Sequence, residues 1–212
     1  MLVSELILAR HGESQFNAKS LWTGIWDVPL TNQGRDDAAL MAHVIREFKP
    51  AVAYSSALSR ARETLEIILQ ENKWSHVPIR SAAAFNERDY GELTGMNKWA
   101  VEEKFGETQF NKWRRGWDEP VPEGETLKVV YRRAVPYFEK HIEPLLKSGK
   151  NVLLVAHGNS LRTIIKHLDE LTDKQVESLD MPFGEVLIYT FDSHGKVTDK
   201  VIRKIPIKQT PA

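Results

Sequence analysis

Short, continuous runs of apolar residues alternate with longer amphipathic stretches along this chain. Three early and central runs have no internal alternation and read as buried strands: Leu6–Ala9, Ala51–Tyr54 and Val152–Ala156. A strand that is apolar on both faces is typical of a parallel sheet covered by helices on each side. Two later segments, Val186–Phe191 and Val197–Ile202, are predicted to be closing strands separated by a turn at His194-Gly195.

The amphipathic stretches predict helices between these strands. Thr31 is a suitable N-cap for a helix from about Asn32 to Phe48. Further helices are predicted over Ala61–Gln70, Glu125–Leu146 and Leu161–Leu168, with Pro136 expected to kink or divide the second of them. The alternation implies an α/β fold, a three-layer sandwich whose mostly parallel central sheet is flanked by helices.

The segment 85–124 interrupts this alternation. It contains three of the six tryptophans, many charges and no convincing strand, and we interpret it as a helical excursion from the sheet. The polar, proline-punctuated residues 206–212 are expected to form a mobile tail. Residues 1–212 are therefore predicted to form a single domain.

Composition and charge narrow the function classes. The 212 residues include 29 Lys+Arg and 29 Asp+Glu, and a net charge of zero argues against a general nucleic-acid binder. The absence of Cys excludes disulfides, thiolate metal sites and cysteine nucleophiles. The first ten residues lack the basic region of a signal peptide, and no stretch approaches the roughly 20 apolar residues that span a bilayer. A cytoplasmic protein without a membrane partner is expected.

Two histidines occupy equivalent positions in the predicted sheet. His11 follows the first strand and precedes Gly12, and His157 follows the strand Val152–Ala156 and precedes Gly158. Ligands of open α/β sheets bind at the carboxyl ends of the strands, so both histidines should reach one crevice. Either histidine alone could be an unrelated strand cap. The Arg-His-Gly motif at Arg10 together with the second His-Gly favours a functional pair.

These and further motifs resemble the histidine phosphatase superfamily, and within it the cofactor-dependent phosphoglycerate mutases. The resemblance runs from about residue 5 to residue 192, and Arg-His-Gly alone marks only the superfamily. The motifs that carry it are Leu-Ala-Arg-His-Gly-Glu-Ser-Gln-Phe-Asn (8–17), Trp-Thr-Gly (22–24), Asp27, Leu30-Thr31, Ser59-Arg60-Ala61, Asn86–Gly91, Leu93–Lys98, Trp113-Arg114-Arg115 and Ala156–Arg162. The resemblance implies a phosphoglycerate mutase-like fold in which the excursion lies over the active site.

The resemblance also implies an isomerase that interconverts 2- and 3-phosphoglycerate through a phosphohistidine, in glycolysis and gluconeogenesis. His11 would be the nucleophile, His157 its cationic partner and Glu87 the proton carrier. Arg10 and Arg60 would hold the phosphoryl oxygens with their guanidinium groups. The implied cofactor is 2,3-bisphosphoglycerate, the primer that phosphorylates His11.

The implied substrate-binding residues surround these catalytic ones: Arg10, Ser14, Asn17, Thr23, Gly24, Arg60, Glu87, Tyr90, Lys98, Arg114, Arg115, Gly158 and Asn159. Lys98 and the arginine pair 114–115 would fix the carboxylate end of a phosphoglycerate. A solvated basic face is the alternative for that pair. A surface carboxylate paired with Arg88 is the alternative for Glu87. The carboxylates expected beside the site are Glu13 and Glu87.

Other charged and histidine residues receive no functional role from the sequence. Arg132 and Arg133 match no binding motif and are interpreted as surface charge. The remaining histidines are interpreted as surface or structural: His43, His76, His141, His167 and His194. No His-x-x-x-His pair, carboxylate cluster or Walker-type loop is recognisable, so no metal and no nucleotide are expected.

A phosphatase on the same scaffold, which would release phosphate from His11 to water, is the alternative function. Phe183-Gly184-Glu185-Val186 stands where the family pattern has Thr-Gly-x-Pro, and the connection 116–123 lacks an insertion of longer relatives. Few residues follow Ile205 to close the site against water. The balance of activities and the choice between monomer and homo-oligomer therefore stay open. A non-catalytic phosphate binder would lack one of the chemical groups, and none is missing.

Overall fold

The computed structural model describes residues 3–205, which form one six-stranded sheet with helices on both faces. Strands β1 to β6 are Ser4–Arg10, Val52–Ser56, Ile79–Ala82, Val152–Ala156, Glu185–Phe191 and Val197–Lys204. Helices α1 to α8 are Gln15–Ala18, Asn32–Val44, Ser59–Glu71, Lys98–Arg115, Leu127–His141, Glu143–Lys147, Gly158–Leu168 and Asp173–Ser178. Two short 3₁₀ helices cover Ala83–Phe85 and Gly91–Leu93.

The order of strands across the sheet is β3-β2-β4-β1-β5-β6. The first four are parallel, whereas β5 pairs antiparallel with β1 and β6 pairs antiparallel with β5. This confirms the predicted three-layer α/β sandwich with a mostly parallel sheet. Because β1 and β4 are parallel neighbours, the residues that follow them emerge side by side at one edge.

Two apolar cores on opposite faces of the sheet explain the continuous apolar stretches in the central strands, such as Leu6–Ala9 and Val152–Ala156. Along β1, Leu6 and Leu8 pack into the core under α5 and α7, which also contains Phe138. Ile7 and Ala9 point to the other face and join the core under α2 and α3. Alternate residues of a strand face opposite sides, so a stretch that is covered on both sides is apolar at successive positions.

Several element boundaries differ from the predictions. Helix α2 begins after the predicted N-cap Thr31 but ends at Val44, although Phe48 is still buried in the following turn. The helix expected over 125–146 divides at Ile142, not at Pro136, which stays inside α5 on its exposed side. Strand β3 was not predicted, because the first three of its four residues are exposed and form no apolar run.

The excursion 85–124 is helical, as predicted, and has a small core of its own. Its buried members include Leu93, Val101 and Trp113, which pack with Trp22 from the loop after α1. Helix α4 is interrupted at Gly106, whose φ of 81° lies in the left-handed region. No helix within 3–205 is long and apolar enough to cross a membrane. The tail predicted over 206–212 lies outside the described residues.

Candidate active site

The two histidines predicted to converge lie in contact at the edge of the sheet. His11 follows β1, and its backbone N–H donates to the carbonyl of Ala156 at 3.0 Å. The ring centroids of His11 and His157 are 4.8 Å apart, with an angle of 60° between the ring planes. Both side chains are buried. The parallel pairing of β1 with β4 therefore creates the centre of the site.

Hydrogen bonds fix the orientation of both imidazoles. Nδ1 of His11 lies 2.6 Å from the carbonyl oxygen of Gly12, which can only accept, so this nitrogen carries the proton and Nε2 keeps a free lone pair. Nε2 of His157 lies 2.7 Å from Oγ of Ser56. Its Nδ1 is buried and has no protein partner among the described residues. The site thus offers one free nucleophilic nitrogen and one unsatisfied polar nitrogen.

Both imidazoles are neutral in the free site. Burial, followed by the positive charges of Arg60 and Arg10, holds the pKa of His11 well below its usual value of 6.5. Burial and Arg60 are also the two largest causes that depress the pKa of His157. A neutral His11 suits a nucleophile. The sequence predicts a cationic His157 in the transition state, and with this lowered pKa the charge of a bound anion would be needed to hold its proton.

Two arginines are anchored beside the histidines by backbone carbonyls. Arg10 donates from Nη1 to the carbonyl of Met181 at 2.7 Å. Arg60 donates to the carbonyls of Trp26 at 2.8 Å and Gly24 at 2.9 Å. The Nε atoms of both arginines are buried without a protein partner in the described structure. Unsatisfied buried donors are costly, and an anion is the ligand that would satisfy them.

Glu87 lies in the same cavity and is buried. Its Oε1 accepts from the backbone N–H of Arg88 at 2.8 Å and of Asn159 at 3.3 Å. The alternative of a surface ion pair with Arg88 is wrong, since Arg88 is fully buried. The Arg88 guanidinium instead donates to three backbone carbonyls, those of Trp113, Glu119 and Glu125.

A second cationic group, formed by Lys98, Arg114 and Arg115 at the two ends of α4, also lines the cavity. Burial, followed by the charges of Arg114 and Arg10, lowers the pKa of Lys98 to about 8. Arg115 donates to the carboxylate of Asp180 at 3.0 Å. These side chains line the cavity, so the alternative of a solvated basic face is wrong for them.

The cavity brings together most of the predicted residues: Arg10, His11, Asn17, Thr23, Gly24, Arg60, Glu87, Tyr90, Lys98, Arg114, Arg115, Gly158 and Asn159. Two predicted residues are not among its lining residues. His157 is fully buried and contacts the His11 ring. The hydroxyl of Ser14 caps α1 and donates to Oδ1 of Asn17 at 2.6 Å. Ser14 therefore contacts Asn17, which lines the cavity, and does not line the cavity itself. Glu13 also lies outside the lining and accepts from Thr31 at 2.8 Å.

Sequence reasoning missed several residues of the site. Arg162 lines the cavity and donates to Oδ1 of Asn159 at 2.9 Å. Its spacing of three residues from Asn159 on a helix is a usable signal. Asp180 also lines the cavity, and no sequence signal identifies it. The ring of Phe183 covers the guanidinium of Arg10 at 3.7 Å and lies 6.0 Å from the His11 ring.

One cluster of possible metal ligands lies outside the cavity lining. Ligand atoms of Glu139, Glu143 and His167 are within 4.8 Å of one another, and His167 Nε2 is 3.0 Å from a Glu143 oxygen. The expectation that no carboxylate cluster exists is therefore wrong. It failed because His167 comes from a different helix, α7, and sequence spacing does not reveal that contact. The short Glu143–His167 hydrogen bond accounts for the arrangement as an ordinary paired imidazole.

Comparison with known proteins places the chain in one family. A family model described as "Histidine phosphatase superfamily (branch 1)" matches residues 6–203. A 2,3-bisphosphoglycerate-dependent phosphoglycerate mutase of Parvibaculum lavamentivorans is 45% identical over 92% of this chain and 94% of its own. A protein of the same name from Cytophaga hutchinsonii is 41% identical over 97% of this chain and 95% of its own.

Solved structures share the fold at lower sequence identity. Bacillus stearothermophilus YhfR has a TM-score of 0.79 and 24% identity, and the match covers 99% of this chain and 98% of that one. A phosphoglycerate mutase from Bacillus anthracis has a TM-score of 0.74 and 22% identity, covering 96% of this chain and 92% of that one. The chain therefore belongs to the histidine phosphatase superfamily, in the family of the 2,3-bisphosphoglycerate-dependent phosphoglycerate mutases.

Proposed function

We propose that this protein interconverts 2-phosphoglycerate and 3-phosphoglycerate through a phosphohistidine on His11. The observation that carries the proposal is that one cavity is lined by a neutral imidazole, a buried carboxylate and two sets of cationic side chains from different elements, Arg10 with Arg60 and the α4 group Lys98, Arg114 and Arg115. A phosphoglycerate is a small molecule with a phosphate at one end and a carboxylate at the other. Arg10 and Arg60 suit the phosphate, and Lys98 with Arg114 suits the carboxylate.

His11 carries the phosphoryl group in this mechanism. Its Nε2 lone pair attacks phosphorus, a nitrogen–phosphorus bond forms, and the bond from phosphorus to the substrate oxygen breaks. In the reverse direction the substrate hydroxyl attacks and the nitrogen–phosphorus bond breaks. Arg10, Arg60 and His157 donate to the three phosphoryl oxygens, on which negative charge is spread in the transition state.

Glu87 handles the proton that each step requires. It takes the proton of the attacking hydroxyl and returns a proton to the departing oxygen, so one carboxyl group serves both directions. The two backbone N–H groups on Oε1 hold the carboxylate in place. Its second oxygen, Oε2, accepts no hydrogen bond from the described residues and is available to the substrate.

The residues of the cavity also fit 2,3-bisphosphoglycerate. The two arginines with unsatisfied buried Nε atoms and the Lys98 group line the same cavity, which suits a ligand that carries several anionic groups. When bound, this cofactor supplies the phosphoryl group that loads His11. Arg10 and Arg60 would hold its transferring phosphate.

We also propose that residues 1–212 act as one catalytic domain and that it works in the cytoplasm, in glycolysis and gluconeogenesis. The deciding assay supplies 3-phosphoglycerate with trace 2,3-bisphosphoglycerate, couples 2-phosphoglycerate to enolase and measures released phosphate in parallel. We expect 2-phosphoglycerate to form faster than free phosphate. Free phosphate formed faster than 2-phosphoglycerate would instead establish the phosphatase alternative.

Lys98 should produce an alkaline limb in the pH dependence of kcat/KM, with an apparent pKa of about 8. Below that pH the side chain is an ammonium that attracts the anionic substrate, and above it the charge is lost. Lys98→Met should lower kcat/KM at pH 7 by roughly 10- to 100-fold, the effect of losing one charged hydrogen bond. Lys98→Arg stays charged, so its limb should move to higher pH.

The measurement is kcat/KM between pH 6.5 and 9.5 for these variants, with the exposed Lys19→Met as a matched control. The control should retain the wild-type profile. An alkaline limb that stays in place in Lys98→Arg would contradict the assignment.

A further inference from the structure

The interpretation of Arg133 as surface charge is wrong. Its guanidinium lies at the centre of a hydrogen-bond cluster that includes the backbone of Glu87. Its Nη1 donates to the carbonyls of Ala84 at 2.8 Å and Asn86 at 3.0 Å. Its Nη2 donates to the carbonyl of Glu87 itself at 3.0 Å. One planar guanidinium from α5 thus binds the backbone of the segment that carries Glu87.

Glu125 holds this guanidinium from the other side. Its two carboxylate oxygens accept from Nε of Arg133 at 2.9 Å and from Nη2 at 2.8 Å, a bidentate ion pair. Both side chains are about three-quarters buried, with 25% and 22% of their surfaces exposed. Glu125 also accepts from the backbone N–H of Asp89 at 3.0 Å. The pair therefore contacts the chain on both sides of Glu87.

The segment 86–90 needs such support because it has no regular secondary structure. The carbonyls of Asn86 and Glu87 accept no backbone N–H among the described residues, and Arg133 is the donor that satisfies both. Fixed loop geometry matters for a proton carrier, since misplacement by about 1 Å can cost roughly 100-fold in rate.

We propose that Arg133, oriented by Glu125, is a positioning residue that holds the Glu87 carboxylate in place for proton transfer. This inference rests on the proposed function of Glu87. Arg133 itself is not among the residues that line the cavity. The residues proposed to bind substrate have anchors of their own, as Arg10 and Arg60 show through their bonds to Met181 and Trp26. Loss of Arg133 should therefore change kcat much more than KM.

The test compares Arg133→Met with Arg132→Met, the adjacent residue, which is exposed. We expect Arg133→Met to lower kcat by roughly 10- to 100-fold with KM within about twofold, and Arg132→Met to match the wild type. Arg133→Lys should also have a lowered kcat. One ammonium group cannot replace a planar guanidinium that donates to the Glu125 carboxylate and to three backbone carbonyls. Equal kcat values in the wild type and a folded Arg133→Met would overturn the proposal.

A second experiment separates positioning from general loss of structure. In a background of Glu87→Gln, which removes the proton carrier, Arg133→Met should cause no further loss of kcat. A merely structural role predicts that the two losses multiply, and that result would overturn the inference. Circular dichroism and the thermal midpoint confirm folding, and Glu125→Gln supplies a milder variant that should show the same kcat-specific loss.

The failures of the two proposals are distinguishable. If the wild type converts no 3-phosphoglycerate to 2-phosphoglycerate, the proposed function fails. The same variants are then assayed for release of inorganic phosphate from 3-phosphoglycerate, a reaction that also needs Glu87 to protonate the departing oxygen. The proposal for Arg133 fails if Arg133→Met matches Arg132→Met in that reaction too.

Discussion

Replacing His11 with alanine should reduce mutase turnover by about 10⁴-fold or more, the scale seen when a covalent nucleophile is removed. It should also abolish acid-labile phosphate on the protein after incubation with radiolabelled 2,3-bisphosphoglycerate. The reason is that no second imidazole in the described site is poised to substitute. His157 is turned with its Nε2 against Ser56, and its orientation is set by that contact.

The measurements are the enolase-coupled rate and the labelled phosphate recovered after acid and base treatment. His76→Ala is the matched control, because His76 is exposed and lies outside the cavity. Arg10 and Arg60 remain in His11→Ala, so 3-phosphoglycerate should still bind and protect against thermal unfolding. Undiminished labelling in His11→Ala would place the phosphoryl group on another residue and refute the proposed mechanism.

Replacing Glu87 with glutamine should lower kcat by about 10²- to 10⁴-fold, the usual contribution of general acid–base catalysis. Glutamine keeps the size of the side chain and an oxygen that can accept from Asn159, so the cavity should keep its shape and KM should change little. What it removes is the ability to take up and return a proton at the substrate oxygen.

An aryl phosphate with an acidic phenol separates this role from simple damage to the site. The phenolate leaving group needs no proton. The Glu87→Gln variant should therefore accept the phosphoryl group of the aryl phosphate onto His11 nearly as fast as the wild type does. The exposed Glu92→Gln is a control on the same loop and should match the wild type on both substrates. Equal impairment on phosphoglycerate and on the aryl ester would rule out the proton-transfer role.

The elements that sequence reasoning predicted best are those whose local signal agrees with their burial. The stretches Leu6–Ala9 of β1 and Val152–Ala156 of β4 are covered on both faces, so they are continuously apolar and recognisable as buried strands. The N-cap at Thr31 was recognised because its hydroxyl bonds to the N–H of Gly34 only three residues away. Strand β3 was missed because it lies at the sheet edge and is mostly exposed.

The residues of the site likewise fall into those that a local sequence signal predicts and those that it does not. The convergence of His11 and His157 follows from where strands end, and the structure bears it out. The parts that were missed depend on contacts between distant segments. Arg133 bonds to a carbonyl 46 residues earlier, and Arg115 bonds to Asp180, which lies 65 residues later. No local pattern encodes such partners, so a largely buried arginine such as Arg133 and an exposed arginine look the same in sequence.

The position of β1 in the sheet has a consequence for biosynthesis. β1 is the first of the six described strands to be synthesised, yet its two partners are β4 and β5, which begin at Val152 and Glu185. A nascent chain therefore carries Leu6 and Leu8 exposed until almost all of it has been translated. Such long-range pairing is slow and leaves apolar surface open to aggregation. The pairing of β4 with β1 is also what brings His157 to His11, so the active site should form only when this long-range pairing has formed.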